Sequence, residues 1–339
     1  MKLVSFPLRL AGFFLFLSFT CLFAQDSTKT ENKEDTKEHQ QHFIDEDGDG
    51  YNDTAPDHDG DGIVNRIYAG DLGGNVFAFK DDAVHTYDVC FQPVDQVVTD
   101  GIWTTAFKLF NASADGVQRK IMCAPDAVGE SFGEFIFFGT GDRTDPGEIT
   151  VVNRIYAVKN DWSATATLTE SDLVDVTANL VQLGTEAEKA SVKSSLGVSD
   201  GWFFQLENAG EKVVSSPRVY GGVVYFTTYT PANAANPNPS DPCAVSTVRG
   251  VARLYAVDYE TGASVIGLNS ATETDNNGQT VELGKKDRSV AIGTAIPSAP
   301  VIAIIAQGAQ IFIGVEGGIV SLPTISTKDM HTYFWTQIF

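Results

Sequence analysis

Residues 213–230 read VVSSPRVYGGVVYFTTYT, an apolar run that ends in two glycines and a second apolar run that becomes polar. A third run, RLYAV, follows at residues 253–257. Short runs of β-branched and aromatic residues broken by Gly, Pro, Asn and Asp are typical of antiparallel strands joined by turns. The stretch therefore predicts a unit of strand, strand, strand.

The same unit recurs along the chain. The second runs begin at Phe135, Val223 and Ile311, which are equally spaced. The shared elements are the second runs FIFFGTGD, VVYFTTYT and IFIGVEGG, the preceding runs KIMCAP, VVSSPRVYGG and APVIAIIAQGA, and the strings RIYAG (66–70), RIYAV (154–158) and RLYAV (253–257). Repeated units of this kind indicate an architecture in which each sheet buries its faces against its neighbours.

The predicted fold class is all-β, a β-propeller with about three to four blades. The repeat is about twice as long as the ~40–50 residues of a compact blade, so each unit carries insertions. One insertion, between Leu168 and Leu196, is predicted to be helical, because apolar residues recur in it at helical spacing. These residues are Leu173, Val176, Leu180 and Leu183. ASVIGL (263–268) is a candidate fourth strand.

The propeller is predicted to be incomplete at its beginning. Residues 66–79 read as the third and fourth strands of a blade whose first two strands are missing. An open sheet edge leaves backbone groups unpaired and prone to association. We therefore expect a partner to cover it, either a second chain that completes the propeller or a strand added by another protein.

Two acidic nine-residue loops, at residues 45–53 and 57–65, precede the first of these strands. Both place oxygen-bearing side chains at positions 1, 3, 5 and 9, and a backbone carbonyl at position 7, with glycines between. The candidate ligands are Asp45, Asp47, Asp49, the Tyr51 carbonyl and Asp53 in the first loop, and Asp57, Asp59, Asp61, the Ile63 carbonyl and Asn65 in the second. Alternating oxygen ligands in a tight loop are what Ca²⁺ requires, so calcium is the predicted cofactor.

The loops differ from a complete EF-hand. Position 12 holds Pro56 in one case and Tyr68 in the other, where an EF-hand has a bidentate Glu. The predicted affinity therefore lies in the weaker extracellular range of ~10⁻⁴–10⁻³ M. The alternative is a solvated acidic linker that holds no ion.

The amino-terminal residues predict export. Residues 1–24 have the layout of a signal peptide, with Lys2 and Arg9 before an apolar run, and residues 25–44 read as a polar disordered tether. A retained membrane anchor is the alternative, although the run is shorter than the ~20 residues of a spanning helix. Outside the cytoplasm Cys90 and Cys123 are a candidate disulfide, with Cys243 left over; three free buried cysteines are the alternative.

Composition limits the function classes. The chain has 23 Lys and Arg against 44 Asp and Glu, a net charge of -21, which repels phosphate backbones and argues against nucleic-acid binding. The five histidines show no zinc spacing, and no nucleophile stands at a recognisable spacing from a base. We therefore expect a protein that is not an enzyme.

Residues 57–79, DHDGDGIVNRIYAGDLGGNVFAF, closely resemble the calcium loop and following strands of the C-terminal propeller of PilY-type type IV pilus proteins. Residues 201–231, ARLYAVDYETG (252–262) and the closing HTYFWTQIF (331–339) are similar to further parts of that domain. The resemblance runs from about Asp57 to Phe339. It implies a modified, quinoprotein-like propeller over residues 66–339, preceded by the two acidic calcium-binding loops at 45–65.

The resemblance implies an exported protein of the periplasm, outer surface or pilus tip. It would act in pilus assembly, adhesion and twitching motility, with minor pilins as partners and with calcium opposing retraction. The ligand roles carry over to Asp57, Asp59, Asp61, the Ile63 carbonyl and Asn65. The large amino-terminal region of full-length family members has no counterpart in this sequence.

Two other functions fit parts of the sequence. Segments such as GGVVYFTTYT (221–230) also resemble blades of quinone-dependent dehydrogenases, but no acid, base or quinone site can be named. A secreted, calcium-stabilised structural module without any pilus role is the remaining alternative.

Overall fold

The computed structural model describes residues 66–80, 105–163, 166–232, 249–268, 272–305 and 308–324. These ranges contain eighteen β-strands and two short α-helices, so the predicted all-β class is confirmed. The predicted signal peptide, tether and acidic loops lie outside the described residues. Within the described residues neither helix has the length and apolarity that crossing a bilayer requires.

The first two sheets are antiparallel and follow each other along the chain. The first has the order β1-β2-β3, and the second has the order β4-β5-β6-β8, with β7 added in parallel beyond β8. Their bounds are β1 Arg66–Gly70, β2 Asn75–Lys80, β3 Thr105–Asn111, β4 Asp126–Glu130, β5 Gly133–Gly139, β6 Arg154–Asn160, β7 Val174–Asp175 and β8 Gly201–Gln205.

The next two sheets repeat this plan. The third has the order β10-β11-β12-β15, with β9 also paired to β11, and the fourth has the order β16-β17-β18. A separate two-stranded ribbon, β13-β14, lies in the connection before β15. The bounds are β9 Lys212–Val213, β10 Arg218–Tyr220, β11 Val223–Thr230, β12 Val251–Asp258, β13 Glu273–Thr274, β14 Thr280–Val281, β15 Ser289–Gly293, β16 Val301–Ile305, β17 Gly308–Val315 and β18 Gly318–Pro323.

The four sheets share their cores in chain order. One cluster joins the first and second sheets, another the second and third, and another the third and fourth. Sheets that pack face to face in succession are the arrangement of propeller blades. The predicted β-propeller class is therefore confirmed, with four blade-like sheets in the described part of the chain.

The middle strands explain this stacking. In β5, Phe135 and Phe137 point into the cluster shared with the third sheet, and Ile136 and Phe138 into the cluster shared with the first. Because successive side chains of a strand point to opposite faces, a run of apolar residues buries both faces. β11 repeats this, which is why FIFF and VVYF are continuous apolar runs rather than alternating ones.

Prolines show which strands are equivalent. Pro125, Pro217 and Pro300 each directly precede the first strand of a sheet, β4, β10 and β16. Proline is tolerated there because it fixes an extended backbone and needs no ladder hydrogen bond from its nitrogen. β3 and β15 directly precede two of these proline segments, and β8 precedes the third with only the two-residue β9 between them. Each of these three strands is therefore the last of its own sheet along the chain.

The predicted position of residues 66–79 is corrected by this equivalence. Because β3 is the last strand of the first sheet, β1 and β2 are its second and third strands, not the third and fourth. RIYAG in β1 therefore does not correspond to RIYAV in β6, which pairs on both sides with β5 and β8. The repeated motif gave a wrong prediction because its residues suit any interior strand. The place of a strand in the order of its sheet is set by the strands that it pairs with.

Two smaller predictions also change. ASVIGL is not the fourth strand of its sheet: Ser264 makes one isolated bridge to Val257, and β15 takes that place. The predicted helical insertion contains α1 (Leu180–Leu183) and α2 (Glu186–Val198). Leu173 and Val176 lie before both helices, so the spacing that predicted one helix crosses a turn.

Stability is expected to depend on the burial of both faces of β5. Phe137→Ala should lower the free energy of unfolding by about 3–5 kcal/mol, because Phe137 is fully buried and the substitution leaves a cavity. Phe132→Ala is the matched control, since Phe132 lies in the adjacent turn and is 39% exposed; a loss of about 1 kcal/mol or less is expected. Chemical denaturation measures both, and equal losses would contradict this account of the core.

Candidate functional site

The ten predicted calcium ligands lie outside the described residues, so their geometry stays a prediction. Within the described ranges there is no group of three or more His, Cys, Asp or Glu side chains that could hold a metal ion. The described structure begins at Arg66, one residue after the last predicted ligand, Asn65. The candidate site is therefore the place where the second loop joins the first sheet.

Arg66 is held by a charge inside the fold. Its guanidinium forms a salt bridge with the carboxylate of Glu134 at the start of β5, which joins the first sheet to the second. The two side chains are 14% and 7% exposed. A carboxylate this buried is stable only when it is paired and hydrogen-bonded, so the contact fixes the side chain of the first described residue.

Further donors complete the environment of Glu134. The Trp162 indole N–H donates to Glu134 Oε2 at 2.6 Å, and the Tyr68 hydroxyl donates to the same oxygen at 3.2 Å. The Asn160 side-chain amide donates to the Tyr68 hydroxyl at 2.8 Å. We call Arg66, Tyr68, Glu134, Asn160 and Trp162 the loop anchor.

Local backbone conformation brings the loop anchor together. Gly133 has φ +135°, and a Cβ there would lie 2.2 Å from the Asn160 carbonyl oxygen, so the start of β5 approaches the end of β6 closely. Trp162 has φ 59°, in the left-handed region that bulky residues seldom adopt. Its backbone N–H donates to the Asn160 side-chain oxygen at 3.1 Å, which holds this conformation.

The electrostatics of the loop anchor suit a fixed, neutral support. Burial raises the pKa of Tyr68 to about 12, so its hydroxyl remains a donor across the physiological range. The Arg66 guanidinium lies 5.7 Å from the centre of the Trp162 ring, and the Lys80 ammonium lies 5.6 Å from it. Cations at such distances are attracted to the ring face.

The strand that carries Arg66 and Tyr68 is held along its whole length. β1 pairs with β2 along its whole length, from Arg66 opposite Lys80 to Gly70 opposite Val76. The first residue of β1, Arg66, is therefore fixed by both its backbone and its side chain.

The loop anchor was not found from the sequence. Neither Trp162 nor Glu134 belongs to a recognisable motif. A usable signal existed, because Glu134 is a lone charge next to the apolar run FIFF. A charge at a position whose neighbours are buried implies a partner, although the partner is not identifiable without the fold.

Known proteins resemble this chain. No protein-family model matches the sequence. Two curated proteins of Xylella fastidiosa strain Temecula1, both named "Type IV pilus biogenesis factor PilY1 homolog", are 24% identical over 226 residues and 25% identical over 289 residues. The alignments cover 62% and 82% of this chain. The resemblance to PilY-type proteins is confirmed.

The similarity is to a part of much longer proteins. The two alignments span 14% and 21% of the PilY1 homologues. Among solved structures, the crystal structure of the Pseudomonas aeruginosa PilY1 C-terminal domain aligns with a TM-score of 0.48 and 16% sequence identity. That alignment covers 79% of this chain and 60% of the solved chain.

A cleft of about 440 Å³ lies between the second and third sheets, beside α2. Phe135 and Tyr259 form part of its lining, and the Tyr259 hydroxyl donates to Glu130 at 2.6 Å. The Lys159 ammonium donates to the carbonyls of Leu196 and Ser199 at the end of α2. These polar groups are already engaged within the fold, so the contacts assign them a structural role.

One predicted disulfide partner is described. Cys123 is half-buried, and burial raises the pKa of its thiol. Cys90 and Cys243 lie outside the described residues. The pairing of Cys90 with Cys123 therefore stays a prediction.

The loop anchor is expected to depend on its buried charge pair. Glu134→Gln should lower the free energy of unfolding by about 3 kcal/mol, because it removes the buried carboxylate charge that forms a salt bridge with Arg66. Glu186→Gln is the matched control and should cause no measurable change, since the Glu186 side chain is 86% exposed.

A double-mutant cycle measures the interaction free energy between Arg66 and Glu134 separately from their contacts with other residues. Arg66→Met combined with Glu134→Gln should cost less than the sum of the two single substitutions, because each single substitution already removes the salt bridge between these two side chains. Denaturation of the four proteins provides the cycle. Strict additivity would contradict the assigned pairing.

Proposed function

We propose that the chain is a type IV pilus biogenesis protein of PilY type that acts outside the cytoplasm. The observation that carries the proposal is its similarity to two curated PilY1 homologues over 62% and 82% of its length. The blade-like sheets and the acidic loops next to β1 support it, because the resemblance predicts both together. The protein is exported by its signal peptide and resides in the periplasm, at the outer surface or at the pilus tip.

The finer role is that of an assembly factor and tip adhesin. The chain contacts minor pilins, supports adhesion and twitching motility, and opposes pilus retraction when it holds calcium. This role is not enzymatic. Oxidation of an alcohol or a sugar by the purified chain with added quinone would contradict it in favour of a dehydrogenase.

Calcium belongs to the proposal as a structural ion. The second loop, with Asp57, Asp59, Asp61, the Ile63 carbonyl and Asn65, is the principal site, because the loop anchor fixes the strand that follows it. The first loop, with Asp45, Asp47, Asp49, the Tyr51 carbonyl and Asp53, is a weaker site. Bringing such carboxylates together costs on the order of 1 kcal/mol per pair in water, and a dication removes that cost.

The loop anchor has a specific part in calcium binding. Arg66 follows the loop directly, and its positive charge would repel a dication bound there. A unit charge and a dication that are about 8 Å apart in water repel each other by about 1 kcal/mol, or roughly fivefold in affinity. The salt bridge with Glu134 offsets the charge of Arg66, which lowers this repulsion.

Calorimetric titration tests the calcium sites. Asp59→Ala is expected to abolish the stronger binding event, and Asp47→Ala only the weaker one, because each removes a carboxylate from one loop. Glu134→Gln is expected to weaken the stronger event by about fivefold at low salt, and less at high salt because the charge is screened. Glu186→Gln is the control. A calcium signal unchanged in both Asp variants would contradict the assignment of the two loops as calcium sites.

Deletion of the gene in its source organism tests the pilus role. Surface pili and twitching are expected to fall, and the chain carried on a plasmid should restore them. The Asp59→Ala chain should restore piliation only in part, because the loop loses its ion. Pull-down from the piliated strain should recover minor pilins with the wild-type chain. Normal piliation in the deletion strain would contradict the proposal and leave a secreted structural module as the better reading.

A further inference from the structure

The cleft of about 440 Å³ beside α2 is lined by aromatic rings and by charges of both signs. Its described lining comes from the β4–β5 hairpin, the end of β6, the last turns of α2 and the turn after β12. A volume of this size is in the range of ligand-binding sites in proteins. The side chains that decide its chemistry are Glu130, Phe132, Phe135, Lys159, Tyr259 and Glu260.

Three aromatic rings form a row in the cleft. The Phe132 and Phe135 rings have their centres 6.2 Å apart and meet edge to face, and the Phe135 and Tyr259 rings repeat this arrangement at 6.2 Å. Phe132 is 39% exposed, whereas Phe135 and Tyr259 are each 3% exposed. The row therefore leads from the surface to the floor of the cleft. Aromatic faces offer apolar surface on which the aliphatic stem of a long side chain can lie.

A lysine of the protein itself marks the first end of the row. The Lys159 ammonium lies 5.8 Å from the centre of the Phe132 ring. It donates to the Leu196 carbonyl at 3.0 Å and to the Ser199 carbonyl at 2.9 Å, at the end of α2. Lys193 of α2 also contributes to the lining. Another cation is repelled at this end, and an incoming one is directed toward the other end.

Two carboxylates mark the last ring of the row. The Tyr259 hydroxyl donates to Glu130 Oε1 at 2.6 Å, and the Glu260 side chain is hydrogen-bonded to the same hydroxyl. Burial and these contacts raise the pKa of Tyr259, so the hydroxyl keeps its proton. One proton serves two carboxylates, each of which offers about four acceptor positions. Two negative charges at one hydroxyl repel each other, and a cation bound between them would offset that repulsion.

We propose that the cleft binds an arginine or lysine side chain of a partner polypeptide. The cationic head binds Glu130 and Glu260, and its stem lies against the ring of Tyr259. Apolar neighbours of the basic residue contact the exposed ring of Phe132. Charge-assisted hydrogen bonds from an ammonium or a guanidinium to carboxylates are among the strong ones in proteins. Such a contact requires neither the predicted calcium loops nor the proposed pilus role.

The shape and charge of the molecule favour a polypeptide as the source. The cleft opens to the surface, since Lys193 and Glu260 are exposed and Phe132 is partly so. Small ligands are held by pockets that bury most of their surface, whereas a side chain presented by a partner is also held by its neighbours. A net charge of -21 attracts basic partners at long range. The hydrogen bonds that give Lys159 and Tyr259 their structural roles also preorganise the cleft.

Titration of the purified full chain with two synthetic peptides tests the proposal. One is Ac-Ala-Leu-Arg-Leu-Ala-NH2, and the other has citrulline in place of the arginine, which keeps the shape and removes the charge. Saturation-transfer NMR measures both affinities. The arginine peptide should bind at least about tenfold more tightly, because the citrulline peptide cannot form charge-assisted hydrogen bonds. Its affinity should fall as the salt concentration rises.

Two variants at exposed positions assign the binding to the cleft. Glu260→Gln should weaken the arginine peptide about fivefold, and Phe132→Ala should weaken both peptides about threefold, because one removes a charge and the other an apolar contact. Glu186→Gln is the matched control: this carboxylate is 86% exposed in the first turn of α2, and the variant should bind like the wild type. Thermal melting of each variant checks that the chain is folded.

Other outcomes overturn the proposal. Equal affinity for the arginine and citrulline peptides would do so, and unchanged binding in both Glu260→Gln and Phe132→Ala would place the contact elsewhere. Tighter binding of a peptide with glutamate in place of the arginine would assign recognition to Lys159 and Lys193 instead. Binding of n-butylguanidinium alone as tightly as the arginine peptide would contradict a polypeptide source and indicate a small organic cation.

Discussion

Face-to-face burial of apolar sheets is the interaction on which the rest of the structure depends. The second and third sheets are covered on both sides, by each other and by the first and fourth. Trp202, Phe204, Phe226 and Tyr255 meet in the shared core, with the Phe226 and Tyr255 rings stacked 4.8 Å apart. Aromatic residues bury a large area per side chain, which suits strands that are only five to eight residues long.

The loop anchor depends on the same packing. Arg66 belongs to the first sheet and Glu134 to the second, so their salt bridge forms only when those sheets are stacked. Trp162 and Asn160 come from the end of β6 and supply hydrogen bonds across the same boundary. Stacking of the first two sheets and fixing of the Arg66 side chain are therefore one physical event.

The sequence predicted the fold class because apolar runs buried on both faces leave a strong signal. Phe135, Val223 and Ile311, chosen for their equal spacing, all lie in second strands of their sheets. The position of RIYAG was predicted wrongly, because pattern alone does not distinguish a second strand from a third. The loop anchor was missed since its members are far apart in sequence: Tyr68 and Asn160 are 92 residues apart. Local periodicity carries no information on such contacts.

The long connection between β6 and β8 bears on how the chain folds. These strands pair directly, although residues 161–200 lie between them. Closing a loop of this length slows the search for native pairing more than it lowers final stability. α2 shortens the effective loop, since Thr185 and Glu188 cap its first turn by local hydrogen bonds. Helix formation takes about a microsecond or less, so this segment can be compact before β8 reaches β6. The insertion between β6 and β8 would then help to close the second sheet.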